Sequence, residues 1–141
     1  MSFEVLEDLA GAWAALVDPA VPGGIAELLT TARRLFAHAW FCYEFMAVAC
    51  LVSIQAVEAT FRQVVFPDAK EETPFRRLIA RAASDGRISA DIARRVDAGA
   101  QIRNRLAHPG AQPAYTVGAA APIIEMSHRT VSLLASQRPE P

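Results

Sequence analysis

The stretch Gln101-Ile102-Arg103-Asn104-Arg105-Leu106-Ala107-His108-Pro109-Gly110 reads as the end of a helix that delivers three polar groups to one place. Ile102 and Leu106 are four residues apart, so they share a face and are expected to anchor the helix to a core. Asn104 and His108 are also four apart, on a different face. Pro109 disfavours helical backbone at His108, so the helix is predicted to stop near Ala107, and Gly110 permits the reversal that follows. In an unbroken helix Arg103 and His108 would lie about 140° apart around the axis. An unwound last turn would let the imidazole swing back toward the guanidinium. The carbonyl end of the helix favours the positive form of that ring.

Working upstream, Ser89 caps this helix, predicted over Ala90 to Ala107, and Ile92, Val96, Gly99, Ile102 and Leu106 face inward. Glycine inside a helix costs about 1 kcal/mol against alanine, so Gly99 is read as a close approach by another backbone. Thr73-Pro74 form an N-cap and first-turn pair for a helix whose stripe is Phe75, Leu78, Ile79 and Ala82, closed by Ser84-Asp85-Gly86. Further up, Ile25, Leu28, Leu29, Ala32, Leu35 and Phe36 repeat at helical spacing, and no breaker separates them from the next apolar run. That helix either bends near His38 or runs on to about Val65, where Phe66-Pro67-Asp68 ends it. Residues 41–57 are apolar on most faces. Such a helix lies at the centre of a bundle, or is buried from two sides, one by its own chain and one by a second subunit.

At the N-terminus Ser2 caps a helix with Phe3, Leu6, Leu9, Trp13, Leu16 and Val17 along one stripe, ended by Asp18-Pro19. Pro22-Gly23-Gly24 is a loop. Downstream of the opening stretch, residues 111–118 read as a loop. Ala121 to Gln137 reads as a last helix with Ile124, Ser127, Val131 and Leu134 inward, and the Arg138-Pro139-Glu140-Pro141 tail as frayed. The expected fold is all-α, an up-and-down bundle of about five helices with an extra N-terminal helix. Residues 1–24 form that helix and its loop, 25–138 form the bundle, and the whole is one globular domain.

An apolar fraction of 52% excludes a disordered chain. The net charge of −1 hides an asymmetry. Residues 1–75 hold 10 acids and 4 bases, for −6, while residues 76–141 hold 10 bases and 5 acids, for +5. Of the 14 bases 13 are Arg, which suits bidentate phosphate contact and equally follows from a GC-rich genome. The basic half could attract an acidic polymer or face the acidic half of a second copy. Cys42 and Cys50, eight apart in one expected helix, are about 12 Å apart along its axis, too far for a disulfide. They read as buried apolar residues of a reducing cytoplasm. No signal peptide is visible, and Ala39 to Val57, interrupted by Tyr43, Glu44, Ser53 and Gln55, reads as a core helix and not as a membrane span. The chain has no Gly-rich phosphate loop, H-E-x-x-H, paired-Cys motif or G-x-S-x-G, so neither metal nor cofactor is expected. A helix-turn-helix around Asp85-Gly86-Arg87 is opposed by Asp91 and Asp97 on its second helix.

Arg103-Asn104-Arg105-Leu106-Ala107-His108-Pro109 resembles the R-N-x-x-x-H signature of HEPN domains, small all-helical proteins often found in bacterial toxin and defence systems. A second match, Arg33 to His38, is set aside, because Asn104 follows the first Arg and His108 ends its helix at Pro-Gly. The approach from Leu78-Ile79 through Gly86 to Arg103 is similar to that of the family, as is the earlier core helix from Leu51 to Val65 with Glu58 and Arg62. The resemblance thus spans roughly Ala39 to Ala135. It implies a homodimer in which two motif helices face each other across a cleft, and metal-independent endoribonuclease activity. His108 would then be general base or acid, Arg103 would stabilise the phosphate, and Asn104 would orient the His or the phosphate. Glu58 would either hold Arg103 or simply pair with Arg62 four residues on. Arg94, Arg95 and Arg105 are candidate contacts to the RNA backbone, although Arg94 and Arg95 read first as a solvated face. An antitoxin or nucleotidyltransferase-like neighbour is the expected partner. The alternative keeps the fold without the activity, as a helical dimer binding a nucleotide, RNA or a protein. Trp13 and Trp40 read as core or interface, His38 as a half-buried helix residue, and His128 as surface or packing.

Overall fold

The structure, a computed structural model, describes residues 1–108 and 115–137. It is all-helical, with six α-helices and one π-helical turn among the described residues. They run α1 (Phe3–Ala14), α2 (Gly23–His38), α3 (Phe45–Thr60) with the π-helical turn (Phe61–Val65) as its continuation, α4 (Phe75–Ser84), α5 (Ala90–Leu106) and α6 (Val117–Ser136). The expected reversal at Pro109-Gly110, most of the 111–118 loop and the 138–141 tail fall outside the described residues.

α3 is the hub. It packs on α2 along one side and α6 along another, and α5 crosses it near Ile54. Two apolar clusters result. The larger gathers Ile25, Leu29, Val57, Phe61, Phe75, Leu78, Val96 and Leu134, with the Phe61 and Phe75 rings edge to face at 5.3 Å. The smaller joins Leu6, Trp13, Phe36, Met46, Cys50 and Ile124, with the Trp13 and Phe36 rings 4.6 Å apart. α1 therefore packs on the bundle of its own chain. Burying a side chain such as Leu6 contributes about 1.5–3 kcal/mol. Ser2 and Ser89 cap α1 and α5, accepting from Val5 N and Ile92 N.

Several boundaries differ from the sequence expectation. α2 and α3 are separate helices. The chain breaks over residues 39–44, where the His38 Nδ1 and the Phe41 and Cys42 amides turn back on the carbonyls of Arg34 and His38. Cys42 consequently lies in that turn, half-buried, while Cys50 is buried in α3; both are free thiols. α4 starts at Phe75 with Pro74, not Thr73, at its N-cap, and a proline offers no side-chain acceptor; the Thr73 carbonyl accepts from Arg62. α6 begins four residues earlier than expected, because the Thr116 hydroxyl accepts from Ala119 N and Pro122 is carried inside the helix. α1 ends at Ala14, before the Asp18-Pro19 stop, and Leu16 and Val17 lie in the turns beyond it.

Ile102 and Leu106 are only half-buried and belong to neither cluster, so α5 is anchored instead by Val96, Gly99 and Ala100. Gly99 meets side chains and not backbone: an added Cβ would lie 3.6 Å from Ile54 Cγ1 and Met126 Cε, an ordinary contact. Phe45–Val65 is one continuous stretch long and apolar enough to cross a membrane, and half of its most apolar window is buried inside the bundle.

Candidate functional site

At its C-terminal end α3 stops being a regular helix. The Phe66 amide reaches the Phe61 carbonyl at 2.9 Å, a five-residue step that widens the last turn. Such turns are uncommon and recur at functional sites. Here the widened turn carries Arg62, whose Nε donates to Glu58 Oε1 at 3.1 Å and whose Nη2 donates to the Thr73 carbonyl at 2.9 Å. The other Glu58 oxygen, Oε2, pairs with Nη1 of Arg103, which arrives from α5. Both alternatives for Glu58 therefore hold together: one carboxylate clasps both guanidiniums. All three side chains are partly exposed, at 18% for Glu58, 28% for Arg62 and 25% for Arg103.

Arg103 Nη2 also reaches Asn104 Oδ1 at 3.4 Å. These four residues line a groove of about 430 Å3 between the end of α3, the start of α4 and the second half of α5. Its walls carry four carboxylates, Glu58, Glu71, Glu72 and Asp97, against three guanidiniums, Arg62, Arg76 and Arg103. On one chain alone the groove is thus not basic.

His108 is exposed and lies outside this groove. α5 ends at Leu106 with Ala107 as its cap, and the His108 amide closes a tight turn on the Arg105 carbonyl at 3.2 Å. The predicted helix end is therefore correct, but the expected swing of the imidazole is not seen: no hydrogen bond joins its ring to Arg103, which Glu58 has drawn the other way. Arg94 and Arg95 are exposed and pair with Asp91 on their own helix, and Arg105 is exposed; none lines the groove. Among the described residues no three His, Cys, Asp or Glu side chains converge as a metal site would require.

The second Arg–His match is taken apart by the fold. His38 is exposed, its Nδ1 bonded to the Arg34 carbonyl. Arg33 points instead into the bundle, toward His128, which is fully buried and not a surface residue. Arginine can only donate, so Nε2 of His128 accepts from Arg33 Nη1 at 3.0 Å, and Nδ1 carries the proton to the Ile124 carbonyl at 2.8 Å. Arg33 Nη2 bonds Thr30 Oγ1 at 3.0 Å. Burial holds His128 down to about 4, with Arg33 acting in the same direction. The sequence signal was present: His128 lies four after Ile124 and three before Val131, on the apolar stripe of α6.

No protein-family model matches this chain, and neither a curated protein nor a solved structure matches it.

Proposed function

We propose that the chain is a HEPN-type protein acting as a metal-independent endoribonuclease, a toxin or defence effector whose groove is completed by a second copy. The observation that carries this reading is the Glu58 clasp. It fixes the Arg103 guanidinium at a groove wall beside Asn104, just over one turn before an accessible His108. Arginine has five N–H donors in a rigid fork. Glu58 and Asn104 engage one each and leave the rest for a phosphate.

In this reading His108 of one copy takes the 2′-hydroxyl proton as the 2′ oxygen attacks phosphorus. The bond from phosphorus to the 5′ oxygen breaks, and a protonated His108 from the second copy delivers a proton to that oxygen. The products are a 2′,3′-cyclic phosphate and a 5′-hydroxyl. Arg103 stabilises the charge that builds on the phosphate oxygens.

A second reading is favoured by one observation: Glu58 already neutralises Arg103, and the groove holds more carboxylates than guanidiniums. It is a non-catalytic helical dimer that binds a nucleotide, RNA or a protein partner, with Glu58, Arg62 and Arg103 as a structural clasp. Incubating the full chain with RNA in excess chelator separates the two. Cleavage to cyclic-phosphate ends, lost in His108→Ala and Arg103→Ala while helicity is kept, supports the nuclease. No cleavage of structured or unstructured RNA by the native chain overturns it.

A further inference from the structure

Apart from Met1, Val5 and Leu133, every exposed large apolar residue among those described falls within nine positions: Trp40, Phe41, Tyr43, Phe45 and Val48. They occupy the turn between α2 and α3 and the first turn of α3. Phe41 is 72% exposed and Tyr43 53%. The Phe3 ring, 5.2 Å from Phe41, joins the N-terminal end of α1 to the patch. With aromatic rings near 200 Å2 each, these five side chains expose on the order of 500 Å2. That is close to the upper end for the largest patch on an ordinary monomer. Past Val48, the half-buried Leu51, Val52 and Ala59 continue the outward face of α3 toward Glu58 and Arg62. The combined surface, on the order of 600 Å2, matches one side of the smallest specific interfaces, about 1,200 Å2 in total.

We propose that this surface, the 39–44 turn and the outward face of α3, is the contact between two copies of the chain. The choice of a second copy over other occupants rests on the rim. Arg34, exposed at one edge, makes no ion pair among the described residues. It connects to the patch through His38, whose ring bonds the Arg34 carbonyl and lies 5.8 Å from Phe3. Glu44, exposed within the turn, accepts only a thiol contact from Cys42 at 3.3 Å. Arg34 of each copy can meet Glu44 of the other across a two-fold axis, with Glu4, Glu7 and Asp8 on the adjoining α1 as further carboxylates for it. An anionic bilayer fits worse, because Glu44 sits within the patch and Glu4, Glu7 and Asp8 ride on the adjoining α1.

The functional meaning of this contact rests on the nuclease reading, which needs a second copy; its test does not. The full chain is sized by sedimentation across a concentration series, alone and with anionic vesicles. The expected result is a dimer that Phe41→Glu and Val48→Glu each weaken at least about tenfold, as burying an unpaired carboxylate in an apolar contact requires. Both positions are exposed, so helicity and melting of the monomer should be unchanged. Arg34→Glu alone should weaken the dimer, and Arg34→Glu with Glu44→Arg should restore it. Labelling of Cys42 should slow as the dimer forms. A native monomer, a monomer that binds vesicles, or a dimer indifferent to both apolar-to-Glu changes overturns the inference. A dimer that follows these rules yet cleaves no RNA leaves this contact standing and removes only the nuclease. Cleavage by a dimer indifferent to them does the reverse.

Discussion

Arg33 on α2 donates to Nε2 of His128 on α6, a 3.0 Å bond between residues 95 apart in the chain and set against the Trp13 ring. It is a polar crosslink in an otherwise hydrocarbon neighbourhood, and it works only while the imidazole is neutral. Protonation would place an N–H against an arginine that has no acceptor to offer.

This gives stability an acid dependence of defined sign. His128 has its pKa lowered from 6.5 to about 4 in the fold, so the unfolded chain binds more protons between those values. The stabilisation is complete above pH 6.5 and is lost as pH falls toward 4. About 2 to 3 kcal/mol should disappear by pH 4.5. Urea unfolding at pH 7.5, 6 and 4.5 measures it, and His128→Gln should flatten the slope across that range.

Replacing Glu58 should cost more than replacing either arginine, because Glu58→Ala leaves two guanidiniums facing each other. Exposed ion pairs contribute below about 1 kcal/mol, but this carboxylate is half-buried and serves two partners. A loss of about 1–2 kcal/mol is expected for Glu58→Ala. A double-mutant cycle between Glu58 and Arg103 should return a coupling of at least about 0.5 kcal/mol. A coupling indistinguishable from zero in urea melts would show the clasp to be idle.

His108→Ala should separate activity from stability. The side chain is exposed and makes no hydrogen bond among the described residues, so unfolding should shift by no more than about 0.5 kcal/mol. RNA cleavage should fall by a factor of about 100 or more, the scale of a lost general acid or base. Arg103→Ala is expected to lower both, since it also breaks the Glu58 pair.

Gly99→Ala should stabilise. The added methyl would meet Ile54 and Met126 at ordinary contact distance, and the helix gains up to about 1 kcal/mol. A lower urea midpoint would mean the neighbours cannot accept the methyl. Gly86→Ala should do the opposite, because Gly86 holds φ +73° at the end of α4.

The all-helical character, the caps at Ser2 and Ser89 and the stripes of α2 and α4 were legible because each rests on contacts within a few residues. Assignments that needed tertiary geometry were not. Ile102 and Leu106 share a face as spacing requires, yet α5 turns its Val96–Ala100 side to the core and leaves that pair half-exposed. The separation of α2 from α3 has no Gly or Pro to announce it, and the residue types at 39–44 do not mark the break. The clustering of Glu58, Arg62, Arg103 and Asn104 was within reach, because i, i+4 spacing and one short motif name all four. That a single carboxylate would serve both arginines was not, since it depends on how α5 crosses α3.

The π-helical turn at Phe61–Val65 holds a consequence for how this chain can change by mutation. One surplus residue is accommodated there, so loss of a single codon within it is the smallest genetic step that would restore an ordinary helix. Everything downstream would then rotate by about 100° relative to α3. Phe61 and Phe75 would lose their edge-to-face contact, Arg62 would lose the Thr73 carbonyl, and the arrangement at Arg103 would come apart with no substitution at any of the residues that form it.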